Sequence, residues 1–270
     1  MIIFEIRDPE LESAGHRDRV IAYLIYHERS RRFYAEIPQE VNEWEAPAMF
    51  YGFVKRGVRS IDHEWTMRWV RQRIVPSERQ NIGAILKNNG LKYYDEYKLL
   101  CLCEGRCAQD ETYIIRIKKD LLSDEIKERF SRKIRDVLPI GSFRMLVFFK
   151  NGTTRRIDMN ELFKGEKYAK IRSSAGLFSQ ASVSPGGYAV EWGDNCYIMS
   201  EKLYESGRKV EISYEDILTF ARLRLTDTTG ACKTLGVTRQ YIDQLTKQNR
   251  INPIISGEKC RIYLRSELEE

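Results

Sequence analysis

The Asn-Gly pair near the middle of the chain constrains the fold more than any other short segment. Asn151-Gly152 separates two runs of strand-forming residues, at 143–150 and 153–158. A two-residue Asn-Gly loop favours the turn that reverses the chain between antiparallel strands. The sequence therefore predicts a β-hairpin here, and a sheet built from local antiparallel pairs.

Further hairpins and helices are predicted on both sides of this one. Strand patterns occupy residues 20–26, 32–37, 111–117, 188–192 and 197–199. Helical patterns occupy residues 61–75, 77–90, 123–137 and 214–225, with a brief helix from Ser200. Pro76 and Pro139 follow two of these helices, and Pro185-Gly186-Gly187 predicts a second hairpin turn. The mixture predicts the α+β class.

Changes in this pattern along the chain predict three domains, which a length of 270 residues can accommodate. Residues 1–140 are expected to form an α+β domain of unknown function, and residues 141–212 a small hairpin-based α+β domain. Residues 213–270 are expected to form a linker helix followed by a winged helix-turn-helix. Ser213, with Asp216 three residues later, predicts the cap of that linker helix.

The composition is that of an ordinary globular protein, with 42% hydrophobic and 31% charged residues. The net charge of +6 permits an acidic partner such as DNA without requiring one. Apolar runs are too short to span a bilayer, and the N-terminus lacks the basic start and apolar core of a signal peptide. We therefore expect a cytoplasmic protein whose six cysteines are reduced.

Residues 226–245 carry the pattern of two short helices joined by a tight turn. Gly236 stands where the turn requires a positive φ, and Thr238 is suited to cap the second helix. Small or apolar residues stand where the helices would cross and share a core: Ala231, Cys232, Leu235, Val237, Ile242 and Leu245. This spacing predicts a helix-turn-helix, and residues 254–255 and 261–263 predict a hairpin after it.

The outer face of the second predicted helix is polar. Residues 226–265 contain seven Lys or Arg and three Asp or Glu, a net charge of +4. Arg and Gln side chains can make paired hydrogen bonds to base edges, and a helix N-terminus can approach a phosphate. The predicted DNA-binding residues are Thr238, Arg239, Gln240, Tyr241, Asp243, Gln244 and Lys247 on the helix, and Lys259 and Arg261 on the hairpin.

Residues 231–240, followed by Ile242, resemble the excisionase/MerR-type winged helix-turn-helix family. The hairpin and Ser266-Glu267-Leu268-Glu269 extend the resemblance, while Glu258 at the hairpin tip departs from the more basic wings of the family. The resemblance implies binding to double-stranded DNA. The alternative is a helical hairpin that packs or dimerises without contacting DNA.

The middle of the chain resembles the small α+β bacterial family DUF2442. The resemblance rests on the hairpin at 143–158 with its Lys150-Asn151-Gly152 turn, then on Leu162-Phe163, residues 187–192 and residues 200–205. The family implies no established chemistry. Asp158, Glu191 and Asp194 are the available carboxylates of this segment, and we expect them to serve solubility at hairpin ends.

The first 140 residues resemble no family, and two clusters in them invite a functional interpretation. Cys101, Cys103 and Cys107 lack the spacing and second pair of a structural zinc site, so we favour buried thiols, sharing one face if the segment is a strand. Arginines interleaved with Trp65 and Trp69 could form a second nucleic-acid surface, but we favour a solvated helix face above a tryptophan core. These arginines are Arg68, Arg71, Arg73 and Arg79.

The leading hypothesis is a sequence-specific protein that binds double-stranded DNA as a transcriptional regulator or autorepressor. We expect a homodimer or a second DNA-contacting surface, because a single helix-turn-helix offers limited contact. The alternative is a protein-interaction role, such as an antitoxin or a mobile-element inhibitor whose N-terminal domain binds a partner protein. No cofactor, metal or catalytic residue is predicted, and an enzyme with its site in the N-terminal domain is the third hypothesis.

Overall fold

The computed structural model describes residues 1–13, 19–193, 196–257, 260–265 and 268. The chain divides into two compact units, residues 1–151 with 157–207, and residues 152–156 with 208–270. Helices and several small sheets occur together, which confirms the predicted α+β class. Among the described helices, none has the length and apolar character needed to cross a bilayer.

The first unit begins with an antiparallel sheet and its covering helices. In chain order its elements are β1 (Ile2–Arg7), α1 (Pro9–Ser13), β2 (Val20–His27), β3 (Arg32–Glu36), α2 (Tyr51–Lys55), β4 (Ser60–Ile61), α3 (His63–Arg71), α4 (Ile82–Asn88), α5 (Glu96–Leu102), β5 (Tyr113–Ile117) and α6 (Asp124–Ser131). The described strands are ordered β4-β3-β2-β1-β5. The predicted hairpin of β2 and β3 is confirmed, with Ile25 opposite Tyr34.

This sheet is buried on both faces, which explains the almost continuous apolar runs in β1 and β2. Phe4 and Leu24 belong to a core that includes Trp69 of α3 and Leu100 of α5. The opposite face contributes Ile3, Tyr23 and Ile25 to a smaller core with Ile126 of α6. The sheet is therefore the central layer between α6 on one side and α1 to α5 on the other.

The first unit continues with β6 (Ile134–Ile140), β7 (Arg144–Phe149), the end of β8 (Thr154–Asp158), α7 (Ala169–Arg172), α8 (Ala175–Phe178), β9 (Ser182–Val183), β10 (Ala189–Glu191), β11 (Tyr197–Met199) and α9 (Ser200–Ser206). β6 and β7 form an antiparallel pair, with Leu138 opposite Leu146. The second predicted hairpin is confirmed, because β9 pairs with β10 around Pro185-Gly186-Gly187. Phe149, Phe163 and Val190 belong to the core of this part.

Several helix predictions need correction. The helix predicted at 123–137 ends at Ser131, and residues 134–140 form β6 because their backbone groups pair with β7. Pro139, expected to follow the helix, lies within β6, an edge strand where a missing N–H is tolerated. The helix predicted at 61–75 spans only His63–Arg71, and the one predicted from Ser77 begins at Ile82.

The second unit contains the start of β8, then β12 (Arg208–Val210), α10 (Tyr214–Arg224), β13 (Leu225–Asp227), α11 (Thr228–Leu235), α12 (Arg239–Lys247), β14 (Ile255–Ser256) and β15 (Arg261–Leu264). The described strands of its C-terminal sheet are ordered β13-β15-β14. Helix α10 matches the prediction, and Ser213 and Asp216 form the predicted reciprocal cap. The predicted domain boundaries after residues 140 and 212 stay predictions.

Candidate nucleic-acid interface

The turn between α11 and α12 has the backbone that the sequence predicted. Gly236 adopts a φ of 66°, in the left-handed region that glycine enters without steric cost. Val237 then donates its N–H to the Cys232 carbonyl at 3.0 Å. The Thr238 side chain accepts the backbone N–H of Tyr241 at 3.4 Å, so Thr238 is the predicted N-cap of α12. These local signals fix where the second helix begins.

One side of α12 is buried in the core of the second unit. Ile242 is fully buried and Leu245 is 8% exposed. The same core contains Ala231 of α11 and Tyr263 of β15. The predicted shared core of the two helices is therefore confirmed, and it fixes the rotation of α12 about its axis.

The opposite side of α12 carries the predicted contact residues. All of the following are exposed: Thr238, Arg239, Gln240, Tyr241, Asp243, Gln244 and Lys247. Arg239, Asp243 and Lys247 recur every four residues and so follow one another along the helix surface. The structure brings Arg239, Gln240, Asp243, Gln244 and Lys247 together on one face of α12, as the sequence pattern predicted, while Tyr241 lies next to the buried Leu245. Lys259 lies outside the described residues.

Three of the predicted residues already have partners within the second unit. Arg239 donates to the Thr229 hydroxyl of α11 at 2.7 Å. Arg261 on β15 forms an ion pair with Asp243, and this bond raises the pKa of the Arg261 guanidinium. The ion pair offsets the negative charge of Asp243. Contacts within the second unit therefore hold both arginines in place.

These side chains border a polar cavity of about 330 Å³ in the second unit. The first turn of α11 contributes Thr228 and Thr229, α12 contributes Arg239 and Asp243, and Arg261 comes from β15. The cavity is therefore lined by donors and acceptors on the same side of the second unit as the exposed face of α12.

Two directly opposed pairs of basic residues in the second unit, one on each face of a strand pair, were missed from the sequence. Strand β12 pairs with β8 so that Arg208 lies opposite Arg156, and Lys209 lies opposite Arg155. We call these four residues the basic ladder. Like charges directly opposite each other destabilise a strand pair. The sequence shows the two basic dipeptides, at 155–156 and 208–209. Because they are more than fifty residues apart, no local sequence pattern indicates that they pair.

The first unit contains a buried ionic cluster that sequence reasoning also missed. Lys133, whose side chain is only 1% exposed, lies 2.8 Å from the fully buried Glu36 and 2.5 Å from Glu201. Ser60 donates to Glu36 at 2.8 Å, and Arg129 donates to Glu36 at 3.1 Å. Burial alone would raise the pKa of Glu201, but Lys133 holds it below its usual value. The cluster joins β3, β4, α6, α9 and the link between α6 and β6.

The segment that contains Cys101 and Cys103 is a helix and not a strand. The two cysteines therefore do not share a strand face. Cys101 lies in α5 and Cys103 caps it, and both thiols are half-buried. Cys103 donates to the carbonyls of Arg73 and Leu100, and burial raises the pKa of both thiols. In the part of the chain that the structure describes, no group of three or more His, Cys, Asp or Glu is placed to hold a metal ion.

The arginine cluster around the tryptophans is only partly a solvated face. Trp69 is buried and Arg68 is an exposed partner of Glu64, as expected. Arg73 departs from the prediction: its side chain is 1% exposed, and its guanidinium lies 3.7 Å from the centre of the Trp69 ring. It forms an ion pair with Asp110, so it serves the core.

Comparison with known proteins shows that part of the chain is similar to a family of unknown function. Residues 134–209 match the family described as "Protein of unknown function (DUF2442)". The predicted resemblance of the middle segment is therefore confirmed, and the match starts at the first residue of β6. No curated protein and no solved structure matches the chain.

Proposed function

We propose that residues 226–265 form a winged helix-turn-helix that binds double-stranded DNA, and that the protein acts as a transcriptional regulator or autorepressor. One observation carries the proposal. Helix α12 buries Ile242 and Leu245 and turns a face of hydrogen-bonding and cationic side chains outward. The first turn of that face presents Arg239 and Gln240, two side chains that can make paired hydrogen bonds to base edges.

The dimensions of α12 suit the major groove. A helix with its side chains is about 10–12 Å across, and the major groove is about 12 Å wide. Arg239 and Gln240 occupy the first turn, the part of a recognition helix that contacts base edges. Arg239 pairs best with guanine and Gln240 with adenine, so these two residues would carry sequence preference.

Cations outside the first turn of α12 would contact phosphates. Lys247 and Arg261 lie on the same side of the second unit as the predicted recognition face, and we assign the same role to Lys259. We assign the second DNA-contacting surface to the Arg156–Arg208 pair of the basic ladder, since the Arg155–Lys209 pair lies on the other face of the strands. A polyanion would relieve the repulsion between Arg208 and Arg156, which are exposed and directly opposed.

We propose further that the protein binds DNA as a homodimer through α10. This helix has no buried residue, and it leaves Phe220 55% exposed and Leu223 63% exposed. A second copy would cover these apolar side chains and place two α12 helices on successive half-sites. Light scattering at low salt tests this step: a monomeric mass that Phe220→Glu does not change would contradict it, as would a stable heteromer with another protein.

The decisive experiment is titration of the DNA upstream of the protein's own gene, measured by fluorescence anisotropy at several salt concentrations. Replacing Arg239 and Gln240 with Ala should cost about 1–3 kcal/mol per lost paired base contact at the specific site. It should leave binding to unrelated duplex almost unchanged. A steep dependence of affinity on salt is expected as well.

The chain offers a matched control for this variant. Arg79 and Gln80 are an adjacent exposed Arg-Gln pair in the first unit. Replacing both with Ala removes the same two types of side chain as the α12 variant does. This control should bind DNA with the affinity of the unmodified protein. Equal affinities for the Arg239/Gln240 variant and this control would refute the assignment of α12 as the recognition helix. Lack of binding to any duplex at low salt would refute DNA binding altogether.

A further inference from the structure

A cavity of about 350 Å³ lies in the first unit beside the buried ionic cluster. His27 at the end of β2, Phe130 of α6 and Gly186 of the turn between β9 and β10 contribute to its walls. Its volume is at the lower end of the range for small-molecule sites, which often lie where two parts of a fold meet. No sequence motif pointed to this place.

The lining of the cavity is rich in positive charge. Lys119, Lys127, Lys133 and Lys150 all border it, and no carboxylate does so among the described residues. Lys133 is neutralised by Glu36 and Glu201, and Lys127 lies 3.3 Å from the fully exposed Asp124. Lys119 and Lys150 form no ion pair within the described part of the chain. The cavity therefore has an excess of positive charge.

Lys150 shows the electrostatic consequence. Its amino group donates to the carbonyl of Gly186. Lys150 is exposed as a residue, and partial burial of its amino group, together with the charges of Lys133 and Lys119, lowers the pKa of this amine. An ammonium group close to other cations is unfavourable unless an anion joins them. An anion in the cavity would reverse this effect.

His27 provides a neutral polar group in the same wall. Burial, with nearby positive charges that include Lys150, lowers the pKa of the His27 imidazole to about 4. Its Nε2 atom is buried and has no hydrogen-bond partner among the described residues. A buried polar atom without a partner is costly, and a bound water, ion or ligand can supply the missing hydrogen bond.

We propose that this cavity binds a small molecule that carries a phosphate group. Lys119, Lys127 and Lys150 would neutralise the phosphate, and His27 would hydrogen-bond to the ligand. A phosphomonoester brings a charge of about −1.5 to −2 and three acceptor oxygens, which three lysines can satisfy, whereas a carboxylate brings a single charge. Phe130, which is half-buried, offers an apolar wall to the organic part of an ester.

Calorimetric titration of the full chain with inorganic phosphate and with glycerol 3-phosphate tests this proposal. Both ligands should bind, while glycerol should not. Tighter binding of the ester would identify an organic phosphate as the ligand class, and equal binding would identify free phosphate. No heat of binding from either ligand at millimolar concentration would overturn the proposal.

Two variants and a control distinguish phosphate binding in this cavity from general attraction of phosphate to a basic protein. Lys150→Gln and Lys119→Gln should each weaken phosphate binding by about tenfold or more, since each removes a charge-assisted hydrogen bond. Lys92→Gln alters an exposed lysine outside the cavity and should leave binding unchanged. Equal losses in all three variants would overturn the proposal. Urea unfolding without phosphate shows whether the Lys150→Gln variant is folded. Its unfolding midpoint should be equal to or higher than that of the unmodified protein.

Discussion

Replacement of Lys133 by Met tests the buried ionic cluster. The side chains of Lys133 and Glu36 are 1% and 0% exposed, so removing the ammonium group leaves a carboxylate buried without its closest cation. Breaking a buried pair in this way costs about 3–5 kcal/mol. Arg129 still lies 3.1 Å from Glu36 in the variant, so we expect about 3 kcal/mol, at the lower end of the range.

Tryptophan fluorescence during urea unfolding measures this loss in the right part of the molecule. All four tryptophans, Trp44, Trp65, Trp69 and Trp192, belong to the first unit. The transition therefore reports the unit that contains the cluster. With a urea dependence of about 2–3 kcal/mol per molar, the midpoint should fall by about 1 M or more.

Two further variants make the result interpretable. Lys127→Met breaks an exposed pair with Asp124 and should cost at most about 1 kcal/mol. Adding Glu36→Gln to Lys133→Met should recover part of the stability, because a neutral amide requires no counter-charge. The reasoning is refuted if Lys133→Met costs no more than Lys127→Met, or if the double variant is less stable than the single one.

Three more predictions concern other features. Gly187→Ala should destabilise the first unit well beyond Gly57→Ala in urea unfolding: both have φ near +80°, but only at Gly187 would a Cβ meet a backbone oxygen, 2.0 Å away. His27→Gln should flatten the loss of stability on acidification between about pH 6.5 and 4, because the unfolded imidazole takes up a proton in this window and the folded one does not; an unchanged pH profile would contradict the low pKa of His27. Arg208→Gln should reduce the logarithmic salt dependence of DNA binding by about one unit if this residue contacts a phosphate, and an unchanged slope would exclude it from the interface.

The features predicted correctly from the sequence depend on residues close together in the chain. Gly236 and Thr238 fix the turn and the start of α12 through their own backbone preferences, so the order of elements there could be read from the sequence. The hairpin of β9 and β10 follows from Pro185-Gly186-Gly187 in the same way. Each signal acts within a few residues, where local propensity and the final structure agree.

The features that were missed depend on contacts between distant segments. Arg73 looked like a surface residue of a helix, yet Asp110 and the Trp69 ring hold it in the core. The basic ladder exists only because β12 returns to β8. Nothing in the neighbouring sequence of these residues indicates the partner, because the partner is set by the tertiary fold.

The sequence predicted the end of α6 wrongly and gave no indication of the ionic cluster, and both errors have the same cause. A helix continued to residue 137 would have kept Lys133 one turn after Arg129, on a helix surface shared with other charged residues. The helix instead ends at Ser131, and β6 begins at Ile134 to pair with β7. Lys133 lies in this short link, which directs its ammonium group between Glu36 and Glu201 and beside the cavity. The pairing of β6 with β7 therefore creates both the buried cluster and the wall of the proposed phosphate site.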